Sequence, residues 1–483
     1  MTTRMYQLHD EYQYFLLHHG GKNTVTGSCH ELRIDQYGIL IDCGLFQGKD
    51  SASDPVTVLN IDFDIQHIEA LLITHTHIDH IGRLPWLLAA GFDKPIYCTK
   101  ATAALIPIML EDGLKLQLGL NKKQRSLILE RIERLIVPVE YGEWGNIKGK
   151  EVPSSWSLDK KQKSKKSHSL LVRFQPAGHI LGSAYIEVKL PNDEIIVFSG
   201  DLGPSNTPLL PDPISPKSVD YLVIETTYGN KQHDDVSTRS QRLEKIVQKS
   251  LQDGGVILIP AFSVGRTQEI LFDIERLIEH SIQTKTTSDD FWQQLPIILD
   301  SPLALKVTKE YERFKQLWND ECTALDKSKN ARHPLSFDQL ITVDNHKEHT
   351  RLVNRLASTN EPAIVVAASG MCSGGRIMNY LQALLPHTQT DVILAGFQAY
   401  GTLGRELQEG ENHVYISNEK IKVEAEVHSM SGYSAHADQT DLLRFIEGIE
   451  KSPKKIFLIH GEPEVKGKFK ELLKARFTSD VIV

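Results

Sequence analysis

ALLITHTHIDH, residues 70–80, is the stretch that decides how the rest is read. Its first five residues are an apolar run closed by a threonine, the pattern of a buried strand. The next six hold His75, His77, Asp79 and His80. Two histidines two positions apart at a strand end can point at one ion, and Asp79 and His80 on the following turn can reach a second. Zinc accepts imidazole nitrogen and carboxylate oxygen, and two ions need more donors than one segment supplies. A lone histidine at a strand end is ordinarily just a polar residue. Four donors at this spacing read as a metal motif, and His179 in AGHILGSA, Asp201 in FSGDLG and His460 in LIHGE supply the remainder.

The same grammar recurs outward along the chain. ILID (39–42), EIIVFS (194–199) before Gly200-Asp201, and YLVI (221–224) before Glu225 each end an apolar run on a polar residue. Open α/β sheets place their ligands at such strand ends. Four more runs, GVILIP (255–260), PIIL (296–299), AIVVA (363–367) and DVILA (391–395), each precede a helical or polar segment. These begin near Arg266, Pro302, Gly375 and Arg405. Alternating strands and helices predict a second α/β unit with parallel strands. His436 after SGYSA and His460 after KKIFLI return to ligand-type residues, so one domain is expected to be interrupted by the other. The predicted division is 1–229, 230–428 and 429–483.

Bulk properties narrow the class. Hydrophobic residues make up 40% and charged residues 24% of the 483, which excludes a disordered chain. No apolar run is long enough to span a bilayer, and MTTRMYQLHDEY has no signal-type apolar core, so the cytoplasm is expected. Cys29, Cys43, Cys98, Cys322 and Cys372 are scattered, which argues against a disulfide framework or a cysteine zinc site. The formal charge of −8 argues against a broadly basic nucleic-acid binder, but bound zinc makes a positive cleft in an acidic protein. Residues 148–169 are Lys- and Ser-rich and read as a solvated loop, with contact to an RNA backbone as the alternative.

HTHIDH together with Asp42, His179 and Asp201 resembles the motif series of the metallo-β-lactamase superfamily. ETTYG, IPAFSVGRTQE, GYSAHAD and LIHGE resemble its β-CASP group of nucleic-acid-processing hydrolases. The resemblance implies an α/β fold: an αββα sandwich interrupted by an inserted α/β β-CASP domain. Glu225 then matches motif A, His436 motif B and His460 motif C. The likeness extends to the RNA-processing endonuclease of the cleavage and polyadenylation machinery and its prokaryotic relatives. A histidine at motif C leans toward RNA.

The resemblance also distributes roles. His75, His77 and His179 hold one zinc, Asp79, His80 and His460 the other, and Asp201 bridges. Asp42 orients a ligand imidazole from behind, or simply closes its strand. Water, not the RNA 2′-hydroxyl, attacks, which leaves 5′-phosphate and 3′-hydroxyl ends. His436 protonates the leaving oxygen with Glu225 beside it, or else serves as a further ligand. The second domain is expected to hold RNA. Arg266 at a helix start and the glycine-rich Ser369, Gly370 to Arg376 stretch are candidate phosphate contacts, each equally readable as plain structure. Expected partners are RNA, no membrane and at most a second copy of the chain. A thioesterase-like small-molecule hydrolase, a DNA nuclease on the same fold and a non-catalytic RNA-binding scaffold are the alternatives. The first does not need the second domain, and the last does not need all seven donors.

Overall fold

The computed structural model describes residues 4–47, 60–147, 170–284, 292, 294–320, 322–323, 333–359 and 361–483. The Lys-rich segment 148–169 lies outside them. The chain divides into two compact units, one of residues 1–205, 212–232 and 436–483, the other of 206–211 and 233–435. No helix among the described residues is long and apolar enough to cross a membrane.

In the first unit two seven-stranded sheets are stacked face to face. One runs in chain order: Met5–Gln7, Tyr14–Gly20, Cys29–Ile34, Tyr37–Ile41, Ile68–Leu72, Ile96–Thr99 and Ile136–Val139. The other runs Asp480–Ile482, Lys455–Ile459, Tyr221–Glu225, Ile195–Phe198, Ala184–Lys189, Leu171–Pro176 and Gly145–Asn146. Each sheet is antiparallel on one side and parallel on the other. The period-two alternation of a strand sorts its side chains between layers. Ile196 and Phe198 face the core shared by the sheets, while Val197 faces outward. Ile39, Ile41 and Leu72 likewise face inward, and Leu40 and Leu71 outward.

Outward-facing apolar residues need a cover, and helices supply it. Ile106 and Leu110 of the helix Lys100–Leu118 join Leu40 and Leu71, and Leu442 and Phe445 of Gln439–Glu447 join Leu222 and Leu458. The result is four layers, helix–sheet–sheet–helix. Both faces of the central strands are therefore buried, which is why their sequences are nearly continuous apolar runs.

The second unit is built on a six-stranded sheet in the order Leu340–Thr342, Ile297–Asp300, Ala363–Ala367, Val256–Pro260, Asp391–Leu394, Glu426–Ser429. All its described pairings are parallel. Helices Arg266–Thr284, Pro302–Arg313, His346–Thr359 and Ile377–Leu384 follow its strands. Residues 206–211 belong to this unit, where Asn319 donates Nδ2 to the Thr207 carbonyl at 2.9 Å.

Candidate metal centre

HTHIDH begins two residues past the Ile68–Leu72 strand, after Ile73 and Thr74, and runs into a four-residue helix, Ile78–Ile81, with His77 at its N-cap position. That turn is stapled to the segment after Tyr37–Ile41. Cys43 N donates to the His80 carbonyl at 2.8 Å, and Leu45 N to Ile78 at 3.0 Å. Gly44 allows the close approach, since a Cβ there would lie 1.5 Å from the Asp79 carbonyl oxygen. Asp201 follows Ile195–Phe198 through Gly200, whose φ of 52° belongs to glycine and whose missing Cβ makes room for Thr74. His179 follows Leu171–Pro176, with its amide held by Ser183 Oγ at 3.1 Å. His460 directly follows Lys455–Ile459, and its amide donates to the Gly21 carbonyl at 2.7 Å. Four loops thus deliver donors to one edge of the stacked sheets.

The seven expected donors converge. Ligand atoms of His75, His77, His179 and Asp201 lie within 4.8 Å of one another, as do those of Asp79, His80, Asp201 and His460. Asp201 is common to both groups. Within the first, His75 Nε2 is 3.2 Å and His179 Nε2 3.0 Å from His77 Nδ1, and Asp201 Oδ2 is 3.5 and 3.6 Å from His75 and His179. Within the second, Asp201 Oδ2 is 3.4 Å from His80 Nε2, and Asp79 Oδ2 is 3.6 and 3.4 Å from His80 and His460 Nε2.

These spacings test the fit to a metal. Four ligands at 2.0–2.1 Å in a tetrahedron stand about 3.3 Å apart. The observed separations bracket that edge. His80 Nε2 and Asp201 Oδ1 are moreover buried without a hydrogen bond. Buried polar atoms without a hydrogen bond are costly, and a cation would satisfy both. The nitrogen and oxygen donor set suits zinc.

Electrostatics point the same way. Burial, then the neighbouring His80, pushes His75 well below its usual range, and burial brings His77 down to about 4. Both imidazoles are therefore neutral, the form that binds metal. Burial opposes the Asp201 anion, but His460, His80 and His75 outweigh it and hold the carboxyl well below the carboxylate range. Burial also opposes a charged His80, and Asp201, Asp42 and Asp79 overcome it. Proton and cation therefore compete for His80 Nε2.

The sequence singled out Asp42 as a candidate support. Its Oδ2 lies 2.7 Å from His80 Nδ1, and its two oxygens accept the Thr74 amide and hydroxyl at 2.8 Å each. Sequence reasoning missed Thr74, and it missed Thr227, whose Oγ lies 3.1 Å from His460 Nδ1. Both stood inside quoted motifs, at the last position of ALLIT and the third of ETTYG, but nothing local distinguishes a supporting hydroxyl. His436 Nδ1 is 3.2 and 3.3 Å from the Glu225 oxygens and 3.8 Å from Asp201. Burial opposes its cation, and Glu225 and Asp201 outweigh it, raising the imidazole to about 9. Glu225 Oε1 also accepts the Leu202 amide at 2.7 Å, which fixes the carboxylate.

The expected phosphate contacts sit in the second unit and are differently placed. Arg266 is corrected outright. It is 2% exposed, and its guanidinium is engaged by both Glu269 oxygens and the Tyr433 carbonyl, so it is a buried structural cation and not an open helix-start charge. Arg376 is tied to Asp300 and to the Val343 and Asp344 carbonyls. Ser369 is half-buried and accepts the Ser373 amide at 3.1 Å. Gly370 is buried where a Cβ would meet the Phe262 ring at 2.7 Å, which accounts for the glycine by packing.

Comparison with known proteins agrees with this architecture. Residues 23–254 match the metallo-beta-lactamase superfamily, 267–407 the Beta-Casp domain, and 420–483 the Zn-dependent metallo-hydrolase RNA specificity domain. The chain is 34% identical to a ribonuclease of Thermus thermophilus over 92% of each chain. It is 31% identical to an RNase J-like protein of Methanocaldococcus jannaschii, over 92% of this chain and 91% of that one. A transcription termination factor, FttA, of Methanosarcina mazei is 28% identical over 92% of this chain and 66% of its own length. With two stacked sheets, a donor-lined sheet edge, a second α/β unit and relatives matched nearly end to end, this chain belongs to the β-CASP group of the metallo-β-lactamase superfamily.

Proposed function

We propose that the chain is a zinc-dependent ribonuclease that hydrolyses RNA phosphodiester bonds within the strand, leaving 5′-phosphate and 3′-hydroxyl ends in the cytoplasm. The observation that carries this reading is the pair of donor groups sharing Asp201, with Glu225 and His436 beside them. His75, His77 and His179 would hold one ion, and Asp79, His80 and His460 the other, with Asp201 between. Bound there, zinc supplies Lewis acidity toward a phosphate oxygen and lowers the pKa of water to about 7. RNA is favoured by the ribonuclease among its relatives and by the matched RNA specificity domain.

The chain's own residues do the rest. Asp42 Oδ2 accepts a hydrogen bond from His80 Nδ1, which fixes the tautomer and leaves Nε2 for the centre. Thr227 stands to His460 Nδ1 in the same relation. His436 turns Nδ1 to Glu225, and the carboxylate holds the charge on the imidazole that would donate a proton to the leaving 3′-oxygen.

The same geometry favours a second reading of one residue. Asp201, Glu225, His436 and His460 also lie within 4.8 Å of one another, so His436 is a rival ligand. A long RNA, incubated with and without chelator, tests the function itself. Chelator-sensitive fragments with 5′-phosphate and 3′-hydroxyl ends are expected. Products ending in 2′,3′-cyclic phosphate, or cutting indifferent to chelator, sink it.

A further inference from the structure

Beside the metal centre the first unit gathers a second polar cluster, and this one has donors to spare. Lys466, on the helix Pro463–Arg476, is 0% exposed, and its ammonium donates to the Lys22 carbonyl and, at 2.6 Å, to Asn23 Oδ1. Lys22 Nζ lies 4.2 Å from the centre of the Tyr6 ring and is buried without a hydrogen bond. Tyr6, on Met5–Gln7, stands edge-on to His18 of Tyr14–Gly20, with ring centres 5.8 Å apart. The Tyr6 hydroxyl and His18 Nε2 are likewise buried without a hydrogen bond. Lys466 closes the ring of four. Burial brings the His18 imidazole down to about 3, and the charges of His19 and Lys466 add to that. All four residues belong to one compact unit.

The cluster can give protons and has little to take them. His18 is neutral, and its Nδ1 meets His30 Nδ1 at 2.8 Å, while Ser28 Oγ lies 3.3 Å from His30 Nε2. With the hydroxyl proton of Ser28 given to His30, His30 donates to His18, and His18 carries its own proton on Nε2. Among the described residues neither Lys22 nor Lys466 has a carboxylate within ion-pair distance. Burial, then Arg4, lowers Lys22 to about 8, and burial, then Lys22, lowers Lys466 to about 8. Buried cations are ordinarily paired, as Arg239 and Arg266 of the second unit are with Glu269 and Asp273. Two ammoniums, a phenol and an imidazole without an acceptor among them make a place for an anion, and a phosphate offers several acceptor oxygens at once. Tyr6 and Lys22 are half-buried, so the place lies just beneath the surface. Gly21, next to Lys22, accepts the His460 amide at 2.7 Å, so it borders the edge where the metal donors gather.

We propose that Tyr6, His18, Lys22 and Lys466 form a phosphate-binding subsite, and that the phosphate it takes is a backbone diester of the RNA lying across the metal centre. The first half stands on the cluster alone, and the second rests on the ribonuclease reading. These residues hold the strand and take no part in breaking the bond.

The experiment compares the zinc-loaded full chain with Lys22→Met, Lys466→Met and Tyr6→Phe. Methionine keeps the length of the lysine stem and removes its charge. Melting temperature is followed as inorganic phosphate replaces chloride at equal ionic strength. KM and kcat are measured at several salt concentrations on RNA with a 5′-hydroxyl end, so that every phosphate offered is a diester. An anion that binds the folded chain stabilises it. Phosphate should therefore raise the melting temperature of the wild type more than that of either lysine variant, with Tyr6→Phe between. Phosphate held by zinc contributes equally to all four. KM should rise in the lysine variants, and log KM against log salt should flatten by about 0.7, the share of one neutralised phosphate on a single strand. Zinc content and kcat should stay as they are. A phosphate response identical in wild type and Lys22→Met overturns the subsite. A response lost in Lys22→Met, with the salt dependence of KM unchanged, keeps the subsite and overturns RNA as its source in favour of free phosphate. If the wild type cuts no RNA, the ribonuclease reading fails by itself, and the phosphate response still decides the subsite. If Lys466→Met does not fold, Lys22→Met decides alone.

Discussion

Each unit buries a polar cluster at the carboxyl ends of parallel strands, and the two are made of similar residues put to different use. Around Asp300 every group is answered. Its Oδ2 takes His349 Nδ1 and the Tyr380 hydroxyl at 2.6 Å each, Oδ1 takes Arg376, and His349 Nε2 meets Asn379 at 2.8 Å. Around Asp201 imidazole nitrogens face other imidazole nitrogens at 3.0–3.2 Å, and carboxylates crowd the remaining sides. Histidine and aspartate together therefore say little. What distinguishes a ligand set from a structural knot is whether donors and acceptors cancel within the protein. A surplus of acceptors in a dry pocket calls for a cation.

That contrast is broken most severely at its centre. Asp201→Ala removes the atom common to both groups. Bound zinc should fall in elemental analysis and cleavage should drop below detection, while full zinc occupancy in the mutant would refute the bridge. One step out, His436→Ala should keep its zinc and slow cleavage by about 10²–10⁴-fold, the usual worth of positioned proton transfer. A lost ion would move His436 among the ligands instead.

Further out, Asp42→Asn preserves shape but weakens the hold on His80 Nδ1. Metal affinity, read by chelator competition, should weaken by about 10–100-fold, the range for residues that orient a ligand from behind. An unchanged affinity would make Asp42 a turn residue only. At the far end, Tyr380→Phe leaves Asp300 one donor short in a buried site. Chemical denaturation should show a loss of about 1–3 kcal/mol with zinc content untouched. If that variant lost metal, the two clusters would not be independent and the contrast would fail.

Much of this is legible in the sequence alone. Val256–Pro260 and Ala363–Ala367 announce themselves because strands covered on both faces are continuous apolar runs. Among the candidate donors, His75, Asp201 and His460 were legible because each stands within three residues of the end of such a run, whereas His179, after the mixed strand Leu171–Pro176, was drawn in by the number of donors a metal site needs. Short edge strands such as Met5–Gln7 and Gly145–Asn146 were not, since their pairing is dictated by the neighbour. Arg266 misled for a related reason. A cation at a helix start after a strand looks exposed, and what buries it is Glu269 one turn on together with Tyr433 from a remote part of the chain. Local sequence reports which groups a segment carries, and only the tertiary fold reports whether they are already spent.

The order in which the donors appear along the chain bears on when this protein can act at all. His75 is made early and His460 close to the end of the sequence, after the whole second unit. At about 5–20 residues per second, synthesis separates them by tens of seconds. For most of that interval the nascent chain lacks His436, and throughout it lacks His460 of the second donor group. On the reading proposed above, the nascent chain therefore carries the first donor group long before the second is complete.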